Sequence, residues 1–168
     1  MFQDEARFGR ICSPRACWAP MPIRPRVARH VVREYVYVFG AVSPCDGRHD
    51  SLVLPWANTE AMSLFLEEVG RRYPDEYILM FMDQAGWHKA KGLRVPSNME
   101  LAFIPPYSPE LNPQEQIWDE LREKCFGNKL FKTLQAVVDA AVQGLQRLET
   151  SPHIVASLTQ RTWILNPF

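Results

Sequence analysis

Residues 77–83 read Tyr-Ile-Leu-Met-Phe-Met-Asp, an apolar run that ends in an acid. The run is continuous rather than alternating, which is typical of a strand buried on both faces in the parallel part of an α/β sheet. Asp83 follows it directly and so lies at the carboxyl end of the strand, where open α/β sheets bind their ligands. An Asp that begins a turn has the same appearance in a sequence, and both interpretations stay open.

The segments on either side of this run predict a sheet covered by helices. Runs rich in β-branched and aromatic residues predict strands at 2–8 and 10–18 (a hairpin joined at Gly9), 34–42, 51–56 and 101–104. Apolar residues at helical spacing predict helices at 58–70, from 112 onward and at 131–149. This order of elements predicts an α/β fold in which helices pack on a mixed sheet.

Length and composition describe one ordinary globular domain. The chain has 168 residues, of which 46% are hydrophobic and 23% charged, so we expect a sizeable core and no wholesale disorder. No apolar stretch reaches the roughly 18 residues that span a bilayer, and the first residues lack the pattern of a signal peptide. Cys12, Cys17, Cys45 and Cys125 have no CxxC spacing, which argues against a zinc site or disulfide framework and favours the reducing cytoplasm.

Positive charge is concentrated near the start of a chain whose formal net charge is zero. Only Asp4 and Glu5 oppose it there. The cluster consists of these arginines: Arg7, Arg10, Arg15, Arg24, Arg26, Arg29 and Arg33. Arginine binds phosphate oxygens in a bidentate manner, so this segment is a candidate arm for contact with DNA. A solvated, proline-rich surface segment has the same composition, and the sequence does not separate the two interpretations.

Three acids far apart in the sequence occupy positions that such a fold brings together. Asp4 lies in the first strand, Asp83 follows the buried strand, and Glu115 lies where a proline-rich loop becomes a helix. Three carboxylates at one patch are able to hold two divalent cations, a standard arrangement for phosphodiester cleavage and transfer. Glu115 also has a structural interpretation, as the third residue of a capping box that Asn112 begins, and Asp4 has one as half of a surface pair with Glu5.

Several local patterns match one family. The most specific is Pro-Tyr-Ser-Pro-Glu-Leu-Asn-Pro-Gln-Glu followed by Trp at 106–118. Further matching stretches are Phe-Gln-Asp-Glu-Ala-Arg-Phe at 2–8, Trp-Ala-Pro at 18–20, Phe-Gly-Ala-Val at 39–42 and Met-Asp-Gln-Ala-Gly-Trp-His at 82–88. Through these patterns essentially the whole chain resembles the catalytic domain of bacterial insertion-sequence transposases, in the mariner-like branch of the DDE superfamily.

The resemblance implies a ribonuclease-H-like fold, in which helices flank a mixed sheet of three antiparallel and two parallel strands, with residues 1–168 forming a single catalytic domain. It implies that Asp4, Asp83 and Glu115 are the catalytic, metal-binding acids. Two Mg²⁺ or Mn²⁺ ions are the implied cofactors, with Asp4 bridging both ions and the other two acids completing one shell each. The implied activity is metal-dependent cleavage and transfer of DNA strands at transposon ends.

The resemblance also bears on residues around the acids. His88 and Lys89, just beyond Asp83, are candidates for contact with the DNA phosphate, and the alternative is a pair in a surface loop. The DNA-binding candidates in the arm are Arg7, Arg24, Arg26 and Arg29. We interpret Trp87, Trp118 and Trp163 as core residues rather than as platforms for bases.

Three departures from the family's pattern qualify this prediction. The spacing from Asp83 to Glu115 is a few residues short, and Asp4 lies so near the start of its strand that we expect few ladder bonds on that side and poor cleavage by this chain alone. The family's amino-terminal helix-turn-helix region is absent from the sequence. Double-stranded DNA, a homodimer and a separately encoded helix-turn-helix half are therefore the partners to consider.

Two other functions remain open at this stage. One is an inactive transposase relic that acts as a DNA- or protein-binding module. The other is a different ribonuclease-H-like nuclease, which the Ser-Pro-Glu-Leu-Asn-Pro block at 108–113 disfavours.

Overall fold

The computed structural model describes residues 1–11, 14–28 and 31–165. Its centre is a mixed sheet of five strands in the order β3-β2-β1-β4-β5. The strands are β1 (Phe2–Gly9), β2 (Tyr35–Ser43), β3 (Arg48–Leu54), β4 (Ile78–Met82) and β5 (Met99–Phe103). The first three pair antiparallel, whereas β4 runs parallel to both β1 and β5. The predicted α/β class, with three antiparallel and two parallel strands, is confirmed.

Helices cover both faces of the sheet. They are α1 (Thr59–Arg72), α2 (Gln114–Leu121), α3 (Leu134–Glu149), α4 (Pro152–Thr159) and α5 (Thr162–Leu165). Helix α1 packs on one face through an apolar cluster that includes Met62, Phe65 and Leu66. Helices α2, α3 and α4 pack on the other face through a second cluster. In the described part of the chain, no helix is long and apolar enough to cross a membrane.

The connection from β1 to β2 differs from the prediction. The strand expected at 10–18 is not formed by the residues described there, and β1 pairs instead with β2, in a register that places Gly9 opposite Tyr35. Residues 14–28 contain Pro14, Pro20, Pro22 and Pro25, and each proline removes a donor that a ladder needs. The predicted hairpin is therefore replaced by an extended connection.

Strand β4 is less enclosed than its continuous apolar run predicts. Ile78, Met80 and Met82 are buried against the α1 face, but Leu79 is 43% exposed. Leu79 and Phe81 point instead towards a cavity of about 530 Å³ that Trp163 of α5 also lines. The second face of the run is apolar because Phe81 stacks on Phe2 and both Leu79 and Phe81 line this cavity.

Strand β1 is bonded firmly at its start. The Met1 ammonium donates to Leu79 O at 2.7 Å, and Phe81 N–H donates to Met1 O at 2.8 Å. On the other side, β1 is in register with β2 from Phe2 onward. The expectation that Asp4 sits in a strand with few ladder bonds on its amino-terminal side is therefore wrong.

Gly40 is a point of close approach between the sheet and α2. It lies on β2 opposite Asp4. A Cβ at this position would lie 2.6 Å from Cη2 of Trp118 and closer still to Nε2 of Gln114. Because Trp118 is fully buried, its ring has no room to move aside, and only glycine permits this contact.

We expect Gly40→Ala to lower the free energy of unfolding by about 1–3 kcal/mol, because the added methyl group overpacks a site that is already filled. Urea denaturation followed by tryptophan fluorescence measures the change. Gly92→Ala is the matched control, because a Cβ there has no heavy atom within 4 Å. Equal midpoints for the two variants would contradict the tight contact.

Candidate active site

Asp4, Asp83 and Glu115 all line one cavity of about 450 Å³. Asp4 comes from β1, Asp83 follows the last residue of the parallel neighbour β4, and Glu115 lies in the first turn of α2. The loop 104–109 forms the remaining wall. The structure thus brings the three predicted acids to the same cavity, from three separate elements.

Asp4 is less exposed than Asp83 and is held by a hydrogen bond from α2. Trp118 Nε1 donates to its Oδ2 at 2.8 Å. Burial, the largest cause, and the negative charge of Glu115 together raise the pKa of Asp4 to about 7, although the hydrogen bond from Trp118 partly opposes them. A carboxylate that is desolvated beside a second carboxylate is stabilised by a cation, so the cavity offers a favourable environment for positive charge.

Asn112 fixes the start of the helix that carries Glu115. Its Nδ2 donates to Gln3 O of β1 at 2.9 Å, and its Oδ1 accepts from Gln114 N–H at 3.1 Å. The capping box predicted from the sequence is not formed, because the Asn112 N–H donates to Pro109 O at 2.9 Å rather than to the Glu115 carboxylate. The side chain of Glu115 is therefore left to the cavity.

Asp83 begins a turn and lines the cavity, so its two interpretations are compatible. Its Oδ1 accepts from Ala85 N–H at 2.9 Å and lies 2.7 Å from Nδ1 of His88. The Asp83 side chain is 59% exposed. The turn orients the carboxylate without covering it.

His88 is buried, in contrast to the surface position that the sequence predicted for it. Its Nε2 lies 2.9 Å from Glu5 Oε1, and Trp87 Nε1 donates to the same oxygen at 3.1 Å. Burial lowers the pKa of His88, but the hydrogen bond and charge of Glu5, together with those of Asp83, outweigh burial and raise it overall. With both ring nitrogens facing carboxylates, His88 is not available to a DNA phosphate in this arrangement.

Glu5 is the residue of this site that sequence reasoning missed. Side chains alternate along a strand, so Glu5 points to the face opposite that of its neighbour Asp4. The available signal was an acid within a strand, next but one to Gln3, which is buried on the same face. Such an acid needs a partner, and here the partner is His88.

The predicted DNA-binding residues that the structure describes do not line the cavity. Lys89 Nζ donates to Gln84 Oε1 and lies 5.2 Å from the centre of the Phe103 ring. Arg7 is exposed further along β1, where its guanidinium lies 4.6 Å from the centre of the Tyr35 ring. Arg24 and Arg26 are also exposed. Arg29 lies outside the described residues.

The cavity contains carboxylates that are candidate ligands for a metal ion. Within residues 1–11, 14–28 and 31–165, no group of three or more His, Cys, Asp or Glu side chains is arranged to hold one ion. Asp4 lies in the same cavity wall as Asp83 and as Glu115, and its charge interacts with that of Glu115. An arrangement that shares Asp4 between two ions needs only two carboxylates for each.

A buried polar pair lies behind the cavity. Gln114 Nε2 donates to Nε2 of His49, on β3, at 3.2 Å. Burial lowers the pKa of His49 to about 3, and the positive charge of Arg72 adds to the effect. His49 is therefore neutral in the folded protein, and its Nδ1 finds no hydrogen-bond partner in the described part of the chain.

A family profile and a related protein each match most of this chain. The profile of the family described as "DDE superfamily endonuclease" matches residues 1–138. The Sinorhizobium fredii (strain NBRC 101917 / NGR234) "Uncharacterized protein y4pE/y4sA" is 40% identical over 130 residues, which are 77% of this chain and 96% of that protein.

Three solved structures share the fold. The Mos1 strand transfer complex has a TM-score of 0.62 at 13% identity, over 95% of this chain and 54% of that one. The Mos1 mariner paired end complex with Mn has a TM-score of 0.61 at 14% identity, over 95% of this chain and 55% of that one. The catalytic domain of Mos1 mariner transposase has a TM-score of 0.53 at 12% identity, over 79% of this chain and 74% of that one. The chain thus spans about 55% of the transposase chain in the Mn complex.

The pKa of His49 yields a prediction for acid stability. Its folded value of about 3 lies below its ordinary 6.5, so the unfolded chain takes up a proton between these values, and stability falls as the pH is lowered through that window. Between pH 6 and pH 4 we expect the unfolding free energy of the unmodified protein to decrease more steeply than that of His49→Gln. The difference should be about 1.4 kcal/mol per pH unit.

Chemical denaturation of both proteins at a series of pH values measures this difference. His153→Gln, at an exposed position, serves as the control for losing a histidine. Parallel pH profiles for His49→Gln and the unmodified protein would show that His49 is not held neutral.

Proposed function

This chain belongs to the DDE superfamily endonuclease family, and we propose that residues 1–168 form the catalytic domain of a transposase that cleaves and transfers DNA strands at transposon ends. The observation that carries the proposal is the convergence of Asp4, Asp83 and Glu115 on one cavity. The shared fold supports it, because one of the similar structures is a strand transfer complex and another is a mariner catalytic domain.

The donor set of the cavity fits divalent cations of the Mg²⁺ or Mn²⁺ type, which prefer carboxylate oxygens. Asp4, Asp83 and Glu115 would supply the carboxylate oxygens that hold such ions. The desolvated charge at Asp4 supports this assignment, and one similar Mos1 structure contains Mn. Two such ions stabilise the attacking and the leaving oxygens of an in-line displacement at phosphorus.

The side chains of the protein hold this ligand set in place. Trp118 donates a hydrogen bond to one oxygen of Asp4. Asn112 bonds the start of α2 to β1, and His88 contacts one oxygen of Asp83. Asp4 and Asp83 are thereby held through their own carboxylates, and Glu115 is positioned through the start of its helix. Catalysis by bound ions depends on such positioning, because a displacement of about 1 Å is able to lower a rate by about a hundredfold.

The proposed reaction has two steps of the same kind. In cleavage, a water oxygen bonds to phosphorus while the bond from phosphorus to the 3′-oxygen breaks, which leaves a 3′-hydroxyl on one strand and a 5′-phosphate on the other. In transfer, that hydroxyl attacks a phosphodiester of a second DNA, and the oxygen that leaves takes up the proton. Neither step needs an oxidant or an energy-rich co-substrate.

Double-stranded DNA is the proposed partner for both steps. Recognition of a particular end sequence is assigned to a helix-turn-helix unit, either in a longer chain or separately encoded. Pairing two ends is assigned to a homodimer. The exposed arginines of the arm are proposed to neutralise backbone phosphates, which contribute affinity without reading sequence.

Replacement of the acids tests the catalytic assignment. We expect Asp83→Asn and Glu115→Gln each to lower Mn²⁺-dependent nicking of a labelled duplex by about 10²- to 10³-fold, because each removes charge that stabilises the transition state. Glu110→Gln is the matched control, since Glu110 is an exposed acid of the same loop that does not line the cavity. DNA binding without metal-dependent nicking by the unmodified protein would favour the relic instead.

Replacement of the arm arginines tests the DNA contact. We expect the double variant Arg24→Ala, Arg26→Ala to bind duplex DNA more weakly. The slope of log affinity against log salt should become shallower by about 0.9 for each phosphate contact that is lost. Arg71→Ala, Arg94→Ala is the matched control, because these exposed arginines already pair with Glu68 and Glu67. If the two double variants gave the same slope, the arm would be a solvated loop.

A further inference from the structure

A buried chain of side chains runs from the back of the sheet to the cavity. It begins at Glu5, passes through His88 and ends at Asp83, with contacts of 2.9 Å and 2.7 Å. The side chain of His88 is completely buried and that of Glu5 is 8% exposed, whereas Asp83 is 59% exposed. Two enclosed residues are thus joined to one carboxylate that faces the cavity.

The direction of these bonds follows from their donors and acceptors. Glu5 Oε1 accepts from Trp87 Nε1–H at 3.1 Å and also faces His88 Nε2. On the other side, His88 Nδ1 faces both the side-chain and the backbone oxygen of Asp83. Among the described contacts, each ring nitrogen of His88 faces only carboxylate or carbonyl oxygens, which are acceptors, and Nδ1 is placed to donate to Asp83.

This arrangement decides which oxygen of Asp83 remains for a ligand. Oδ1 takes the bonds from His88 and from the Ala85 N–H. Oδ2 is the oxygen left over among the described contacts. A carboxylate this exposed would otherwise rotate among several orientations, and holding one of its oxygens removes that freedom.

We propose that Glu5 and His88 are positioning residues: Glu5 orients His88, and His88 holds Asp83 with Oδ2 presented to a divalent cation. The inference rests on the proposed function, because it assigns Asp83 to a metal ion. Neither Glu5 nor His88 touches the ion. Partners of this kind fix the orientation of a ligand, and their loss lowers metal affinity by about 10- to 100-fold.

Packing alone does not account for the pair. Burying a carboxylate and an imidazole costs solvation, and apolar side chains of similar volume fill such a space at least as well. Met80 and Met82 of the neighbouring β4 show that this face of the sheet accepts apolar side chains. The polar pair contacts the exposed carboxylate of Asp83 through His88. Its presence is explained by the orientation that it gives to that carboxylate.

The test is Mn²⁺ affinity without DNA, measured by the electron paramagnetic resonance signal of free Mn²⁺ in a titration. We expect His88→Ala to weaken binding by about 10- to 100-fold and His88→Gln to weaken it less, since its amide still donates to Asp83. Glu5→Gln should also weaken binding. The double variant Glu5→Gln, His88→Ala should be no weaker than His88→Ala, because Glu5 acts through His88.

The controls separate the possible failures. His153→Ala accounts for the loss of an exposed imidazole, and thermal unfolding without metal shows that each variant is folded. Unchanged Mn²⁺ affinity in folded Glu5→Gln and His88→Ala, with weaker binding by Asp83→Asn, would overturn the positioning role alone. If the unmodified protein and Asp83→Asn bound Mn²⁺ equally, the metal site itself would be overturned, and the positioning role with it.

Discussion

The contact of Trp118 with Gly40 and Asp4 is the constraint on which the rest of the structure depends. The indole packs against a position of β2 that has no side chain, and its N–H reaches the carboxylate on the adjacent strand. One residue of α2 is thereby fixed to two strands at once. Because α2 also carries Glu115, the same contact sets the distance between two acids that come from distant parts of the sequence.

The electrostatic interactions within this arrangement are unfavourable. Asp4 and Glu115 repel each other in a partly desolvated cavity, and the neighbouring His49 and Gln114 leave polar atoms unpaired in the described part of the chain. Such features lower stability, and proteins retain them chiefly where function requires it. The apolar clusters on both faces of the sheet supply the stability that keeps the carboxylates together.

The sequence predicts the elements of this fold better than the contacts between them. The apolar spacing that predicts helices at 58–70 and 131–149 is a local signal, and the structure forms α1 and α3 in these stretches. The bond between Glu5 and His88 joins residues 83 positions apart, so no local pattern indicates it. The hairpin predicted at Gly9 failed for a related reason, because pairing with β2 decided the partner of β1. Helices α4 and α5 were not predicted, since they are short and depend on packing against the rest of the fold.

The bond from Met1 to Leu79 bears on how this protein is expressed and fused. Burial lowers the pKa of the Met1 ammonium, which shows that a positive charge is poorly accommodated there. A preceding residue would replace that charge with a neutral amide, which still has an N–H to donate to Leu79 O. An amino-terminal extension is therefore compatible with the parallel ladder and relieves the cost of a desolvated charge. The exception is an extension that shifts the methionine nitrogen out of reach of its acceptor.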